Sequence, residues 1–285
     1  MLTESPFTIK QLESAARTQS PRVPMTCTIK RSLPVEMWFG NYSYLMFPML
    51  PNDTLLALLM RANHNKGFRP RRKLSITLQK YLCRQIVEAL IYLHQVDKMA
   101  HGDLKPDNTM ITHDYRLVLI DFGHSEKVKK LIKHRIGTPA YRAPEVPDAT
   151  CDENEYYAVE RAELYALGCT LFTIMFQNIP FKNEGEKDKR FTAQAFHDAF
   201  KMDLADTYQK FYQEHYAYFN QTEQVHSHDE LGLVFSLLNP NPMLRPRLTE
   251  VYDHPWIQSA SVVATQEIIQ EMQELIRLPT PPERK

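Results

Sequence analysis

The stretch HGDLKPDNTMITHDYRLVLIDFG, residues 101–123, decides how this chain is read. Two loop-like motifs, HGDLKPDN and IDFG, flank a run that reads as a hairpin turning at His113-Asp114. Its second strand, Leu117 to Ile120, is apolar at every position and therefore expected to be buried. Such a hairpin brings both motifs to one edge. Phosphoryl transfer needs a group to orient and deprotonate an attacking hydroxyl, cations to bridge phosphates, and a pocket that holds both substrates in line. Asp103 suits the base, Lys105 can meet the transferred phosphate, and Asn108 with Asp121 offers the hard oxygen donors that Mg²⁺ prefers.

Upstream, SITLQKYLCRQIVEALIYLHQ (75–95) is a long amphipathic helix with Leu78, Leu82, Ile86, Ala89, Leu90 and Leu93 on its apolar side. TLLALLMRA (54–62) is helical and NKGFRPRRK a basic loop. VEMWFGNYSYLMF (35–47) reads as two strands joined at Gly40-Asn41. PFTIKQLESAART (6–18) forms a short helix stopped before Pro21 and Pro24. Beyond Pro144 the pattern is helical over 160–177, 229–238 and 247–258, with an aromatic tract at 197–219. The tail 265–278 starts at a Thr265 N-cap and puts Ile268, Ile269, Met272, Leu275 and Ile276 on one face, so it needs a surface to dock on. The expected organisation is residues 1–50, 51–258 and a helical tail 259–285.

The chain has 285 residues, with 34 acidic and 34 basic side chains in balance. That removes the global electrostatic argument for a nucleic-acid or anionic-membrane partner. Cys27, Cys83, Cys151 and Cys169 lie far apart without a C-x-x-C pair, so neither a zinc site nor a disulfide framework is suggested. No signal-like start or bilayer-length apolar run is present, and the expectation is a soluble chain of the cytoplasm or nucleus.

HGDLKPDN, then DFG at 121–123 and APE at 143–145, in that order and spacing, resemble the catalytic, metal-binding and activation segments of eukaryotic protein kinases. Lys105 together with GTPAYRAPE is similar to the serine/threonine type, and the HPW ending with its helical tail is most similar to the calmodulin-dependent and Snf1-like groups. The resemblance implies an α+β, two-lobed fold with a mostly helical large lobe. It also implies ATP and Mg²⁺ as cofactors and a protein serine or threonine as acceptor. Thr138 is then expected to contact the base and the lysine, Arg245 to pair with Glu145, and ELYALG (163–168) to lie in a central buried helix. His101 and Phe122 become packing residues behind the loop. FPMLPND (47–53) becomes the hinge, with Phe47 behind the adenine, Leu50 offering backbone hydrogen bonds and Asp53 near the ribose.

The resemblance has departures. No G-x-G-x-x-G occurs in these residues, where no two glycines stand closer than 14 positions. Lys30 of CTIK mimics the small-lobe lysine but comes too late in the order, and Lys10 is too close to Glu13. The chain is expected to begin near the αC helix, with Gln11 or Glu13 near the glutamate's place and the small lobe truncated. Since losing one preorganised charge stabiliser costs about 10²–10³ in rate, feeble or no turnover is expected of these residues alone, and a pseudokinase scaffold is the alternative reading. Gly102 replaces the arginine that receives an activation-loop phosphate. Ser125 is the single hydroxyl residue between His124 and Gly137, so no switching by phosphorylation of that loop is expected. Lys127, Lys129, Lys130, Lys133 and Arg135 make the same loop basic, a pattern suited to acidic substrates or to plain solvation. Glu163 stands where the family usually has aspartate.

Overall fold

The computed structural model describes residues 35–39, 42–46, 50–63, 73–147, 156–181 and 228–279, the two strands at 35–46 by backbone alone. The expected helix at 6–18, Lys10, Gln11, Glu13, Lys30, Phe47, the aromatic tract at 197–219 and most of the basic loop at 66–73 lie outside these residues.

Strands β1 (Val35–Phe39) and β2 (Tyr42–Met46) pair antiparallel with Phe39 opposite Tyr42. The sequence expectation of two paired strands over 35–47 is met over these residues, while the turn expected at Gly40-Asn41 lies outside the described residues. Helix α1 (Leu55–Asn63) follows, and then α2 (Ile76–Tyr92), capped by Ser75, whose hydroxyl accepts from the Leu78 amide. Here the expectation of an amphipathic helix needs correcting. Besides Leu78, Leu82, Ile86 and Leu90, the polar residues Gln79, Arg84, Gln85 and Glu88 of α2 are also buried.

Their partners explain why. Arg84 pairs with Glu88 at 2.7 Å and donates to the carbonyls of Gln258 and Ala260, while Gln85 accepts from the Leu117 amide. The polar face is turned inward, with Arg84 and Glu88 paired and Gln79 and Gln85 each making a bond to backbone, so α2 is a central post rather than a surface helix. Around it stand α3 (Val159–Phe176), α5 (Leu248–Asp253), α6 (Pro255–Gln258) and α7 (Gln266–Ile276). Helix α4 (His228–Leu237) packs on α3. The approach is close at Gly168, where a Cβ would lie 2.9 Å from the Leu237 Cβ.

The tail finds its surface on α1 and α2, burying Ile268, Met272 and Leu275. Its Glu271 accepts from the Ser75 amide (2.8 Å) and hydroxyl (2.5 Å), tying the strap to the start of α2. Cys83 and Cys169 are free and buried. Among the described residues no helix is long and apolar enough to cross a membrane.

Candidate active site

Helix α2 gives way to a wider turn over Leu93–Asp97, which ends at Lys98 in a left-handed conformation. Two short ribbons follow. Strand β3 (Met99–Ala100) pairs with β6 (Glu126–Lys127), and β4 (Thr109–Ile111) pairs with β5 (Leu117–Leu119). The hairpin turns where the sequence predicts, but its second strand is only half-hidden. Leu117 and Leu119 are buried, whereas Val118 and Ile120 stay partly exposed. A two-stranded ribbon covers one face, and period-2 alternation sends those two side chains to the other.

Residues 101–103 hang from Glu163 of α3. One of its oxygens accepts the amides of His101 (2.6 Å) and Gly102 (2.9 Å), and the other contacts the His94 ring. Burial pushes this carboxyl upward, but the charge and hydrogen bond of His94, with His101 and the Gly102 amide, outweigh it and leave it below the usual range. Glu163 thus anchors the loop despite its extra methylene. His101 is fully buried and packs against Phe122 with ring centroids 5.0 Å apart. Its Nε2 meets the Ile120 carbonyl and its Nδ1 the Asp103 amide, so the ring links both motifs.

Both carboxylate oxygens of Asp103 are held. Its Oδ1 accepts from the Thr138 amide (2.7 Å) and hydroxyl (2.8 Å), and its Oδ2 from the Asn108 amide group at 3.0 Å. The Lys105 ammonium lies 3.0 Å from Oδ2 and donates to the Thr138 hydroxyl at 2.5 Å. Burial raises the Asp103 carboxyl, yet hydrogen bonds from Thr138 and Lys105 and the lysine charge bring it below its ordinary value. A small cleft lined in part by Asp103, Ile136, Tyr141 and Glu163 has a volume of about 20 Å³, room for about one water.

With the Asn108 nitrogen on Asp103, its side-chain oxygen is the atom that could serve a metal. The Asn108 carbonyl accepts from the Ile120 amide at 2.9 Å, which brings the Asp121 backbone alongside. Asp121 itself is exposed, has φ +61, and accepts from the Gly123 amide at 3.3 Å. Two hard oxygen ligands of this kind fit Mg²⁺, which commonly takes its remaining ligands from waters and phosphates. Among the described residues no set of three or more His, Cys, Asp or Glu could hold a metal by itself.

The hinge candidates are differently engaged. Leu50 is half-buried. Asp53 caps the Thr54 amide at 2.9 Å and pairs with Arg61 at 2.7 Å, while its carbonyl takes the Ile111 amide. Below the site, Arg245 meets Glu145 through two contacts of 2.5 and 2.7 Å, as the resemblance implies. Sequence reasoning missed the link of His94 to Glu163. Its signal was a histidine on a buried helix near the carboxylate helix, which only contact distances turn into a pair.

Residues 28–257 match the family model described as protein kinase domain. A probable serine/threonine-protein kinase PLK of Dictyostelium discoideum is 32% identical over 177 residues, covering 61% of this chain and 15% of that protein. The serine/threonine-protein kinase chk-2 of Caenorhabditis elegans is 30% identical over 148 residues, 51% of this chain and 29% of its own. For the serine/threonine-protein kinase ppk25 of Schizosaccharomyces pombe the values are 27% over 222 residues, 77% and 44%. The chain thus spans less than half the length of these relatives.

Proposed function

The chain belongs to the eukaryotic protein kinase superfamily, serine/threonine type, and from that premise we propose that it transfers the γ-phosphoryl group of ATP to serine or threonine hydroxyls of a protein. The observation that carries this reading is the Asp103 carboxylate, kept ionised and aimed by Thr138, Lys105 and Asn108. In this reading Oδ2 of Asp103 orients the acceptor hydroxyl and takes its proton as the new P–O bond forms and the bond from the γ-phosphorus to the bridging oxygen breaks, releasing ADP. Lys105 offsets charge on the transferred group, and Thr138 keeps base and lysine in register. Asn108 and Asp121 would hold Mg²⁺, which supplies charge neutralisation at the phosphates. Leu50 would offer its backbone to the adenine, and Asp53, with 42% of its side chain exposed, would sit toward the ribose.

A second reading is a scaffold without turnover. Mg·ATP binding read by thermal shift, followed by phosphate transfer to a mixed serine/threonine peptide library, separates the two. Stabilisation with transfer, abolished in Asp103→Asn, supports the kinase reading. No stabilisation at millimolar nucleotide and no transfer supports the scaffold.

A further inference from the structure

We infer that the ribbon of residues 126–135 is a docking surface for an acidic stretch of the protein substrate, so that the chain selects acceptors with carboxylates a few residues away. This rests on the phosphotransfer reading above. The ribbon carries Lys127, Lys129, Lys130, Lys133 and Arg135 against a single carboxylate, Glu126, which is engaged by Lys130 at 2.6 Å and approached by His134 at 3.6 Å. Lys127, Lys129 and Lys133 are exposed and form no ion pair among the described residues. Lys133 lies over the Tyr156 ring at 4.6 Å.

These cations are presented on an ordered frame. Strand β6 pairs with β3, β7 (Leu131–Ile132) pairs with β8 (Tyr157–Ala158), and the Tyr157 hydroxyl donates to the His134 carbonyl at 3.0 Å. A frame already in place lowers the ordering cost of binding. Exposed Leu131 and Tyr156 add apolar surface beside the charges.

Position ties the ribbon to the chemistry. Thr138 touches Asp103, and Arg135 and Lys133 precede Thr138 by so few residues that their Cα atoms lie within about 11 and 18 Å of it. At about 3.3 Å per residue of an extended peptide, those upper limits put the cations within reach of carboxylates no more than roughly three to five residues from the acceptor.

A competing role for the cations is to bind a phosphate on Ser125, the hydroxyl residue just before the ribbon. Ser125 is buried with its hydroxyl donating to the His101 carbonyl, and a Cβ at Gly102 would lie 2.1 Å from the His124 carbonyl oxygen, so the usual receiver does not fit. A nucleic-acid partner gains no support from the balanced total charge.

The test compares threonine peptides flanked by glutamate, glutamine or lysine, with the whole chain and its Lys129→Glu/Lys133→Glu variant. The glutamate peptide should be favoured over the glutamine one by about tenfold at low salt, an advantage largely lost near 0.5 M salt. The variant should lose that preference while treating the glutamine peptide as before. Fluorescence anisotropy with alanine at the acceptor position reads docking without chemistry. Charge-dependent docking with no transfer to any peptide would sink the phosphotransfer reading and leave the surface standing. Equal docking of all three peptides, an unchanged preference in the variant, or tighter capture of a single-stranded RNA overturns the surface.

Discussion

Asp103 and Asp121 stand at the two ends of one hairpin, yet the protein holds them in opposite ways. Asp103 is 6% exposed, takes hydrogen bonds on both oxygens, and sits on a loop whose amides are fixed by Glu163. Asp121 is exposed, adopts a left-handed backbone, and has one long hydrogen bond to Gly123. The edge proposed to supply the base is therefore fixed by protein contacts. The edge proposed to hold the metal keeps its carboxylate exposed, at a backbone cost of order 1 kcal/mol that ligand binding could offset. In the proposed reading, preorganisation falls where a proton would move and open coordination where an ion would enter.

The sharpest way to break that contrast is Asp103→Asn. Amide for carboxylate preserves shape but removes the proton acceptor, so phosphoryl transfer should fall by about 10²–10⁴-fold while Mg·ATP binding persists. Equal loss of both would mean that Asp103 belongs to the ligand-organised edge after all.

Glu163→Ala comes next, and reads stability. It leaves the buried His101 amide, the partly buried Gly102 amide and His94 without their shared partner, and should cost about 3–5 kcal/mol in urea denaturation. The sign with pH follows from lowered carboxyls at Glu163 and Asp103. Their contribution is complete above the ordinary carboxylate range, near pH 4, and is lost as pH falls through the folded-state values. The wild-type acid limb should therefore be steep, and flatter in the variant; parallel limbs would deny Glu163 this role.

Asp121→Gly should behave in reverse. Relief at φ +61 roughly balances the greater flexibility of glycine in the unfolded chain, so stability should stay within about 0.5 kcal/mol of the parent. Stabilisation by Mg·ATP should vanish, and its survival in a thermal-shift titration would remove Asp121 from the metal site. Smallest is Glu271→Ala in the tail. It deletes the link to Ser75 and should cost about 1 kcal/mol by the same denaturation, because Ile268, Met272 and Leu275 still bury the helix.

Much of this was legible from residue order. The pairing of β1 with β2, the hairpin turn near His113-Asp114, the Thr265 cap, and the Glu145–Arg245 pair all follow from local chemistry or from a motif that names its partners. The inward polar face of α2 was not legible. Gln79, Arg84, Gln85 and Glu88 at helical spacing read as a solvated stripe, and nothing local announces that residues 258–260 and the hairpin will cover it. The half-exposure of Val118 and Ile120 was hidden for the converse reason, since an apolar run carries no mark of which side lacks a neighbour.

At the site itself, the residue types and their order were enough to say which groups could serve as base, lysine and metal donors, because that chemistry depends on identity and spacing. Whether Asp103 is rigid and Asp121 open depends on groups distant in the chain. Glu163, His94 and Thr138 meet the loop only when α3, α2 and the activation segment pack around it. Hydrogen bonds are short-ranged and directional, so those contacts belong to the tertiary structure alone.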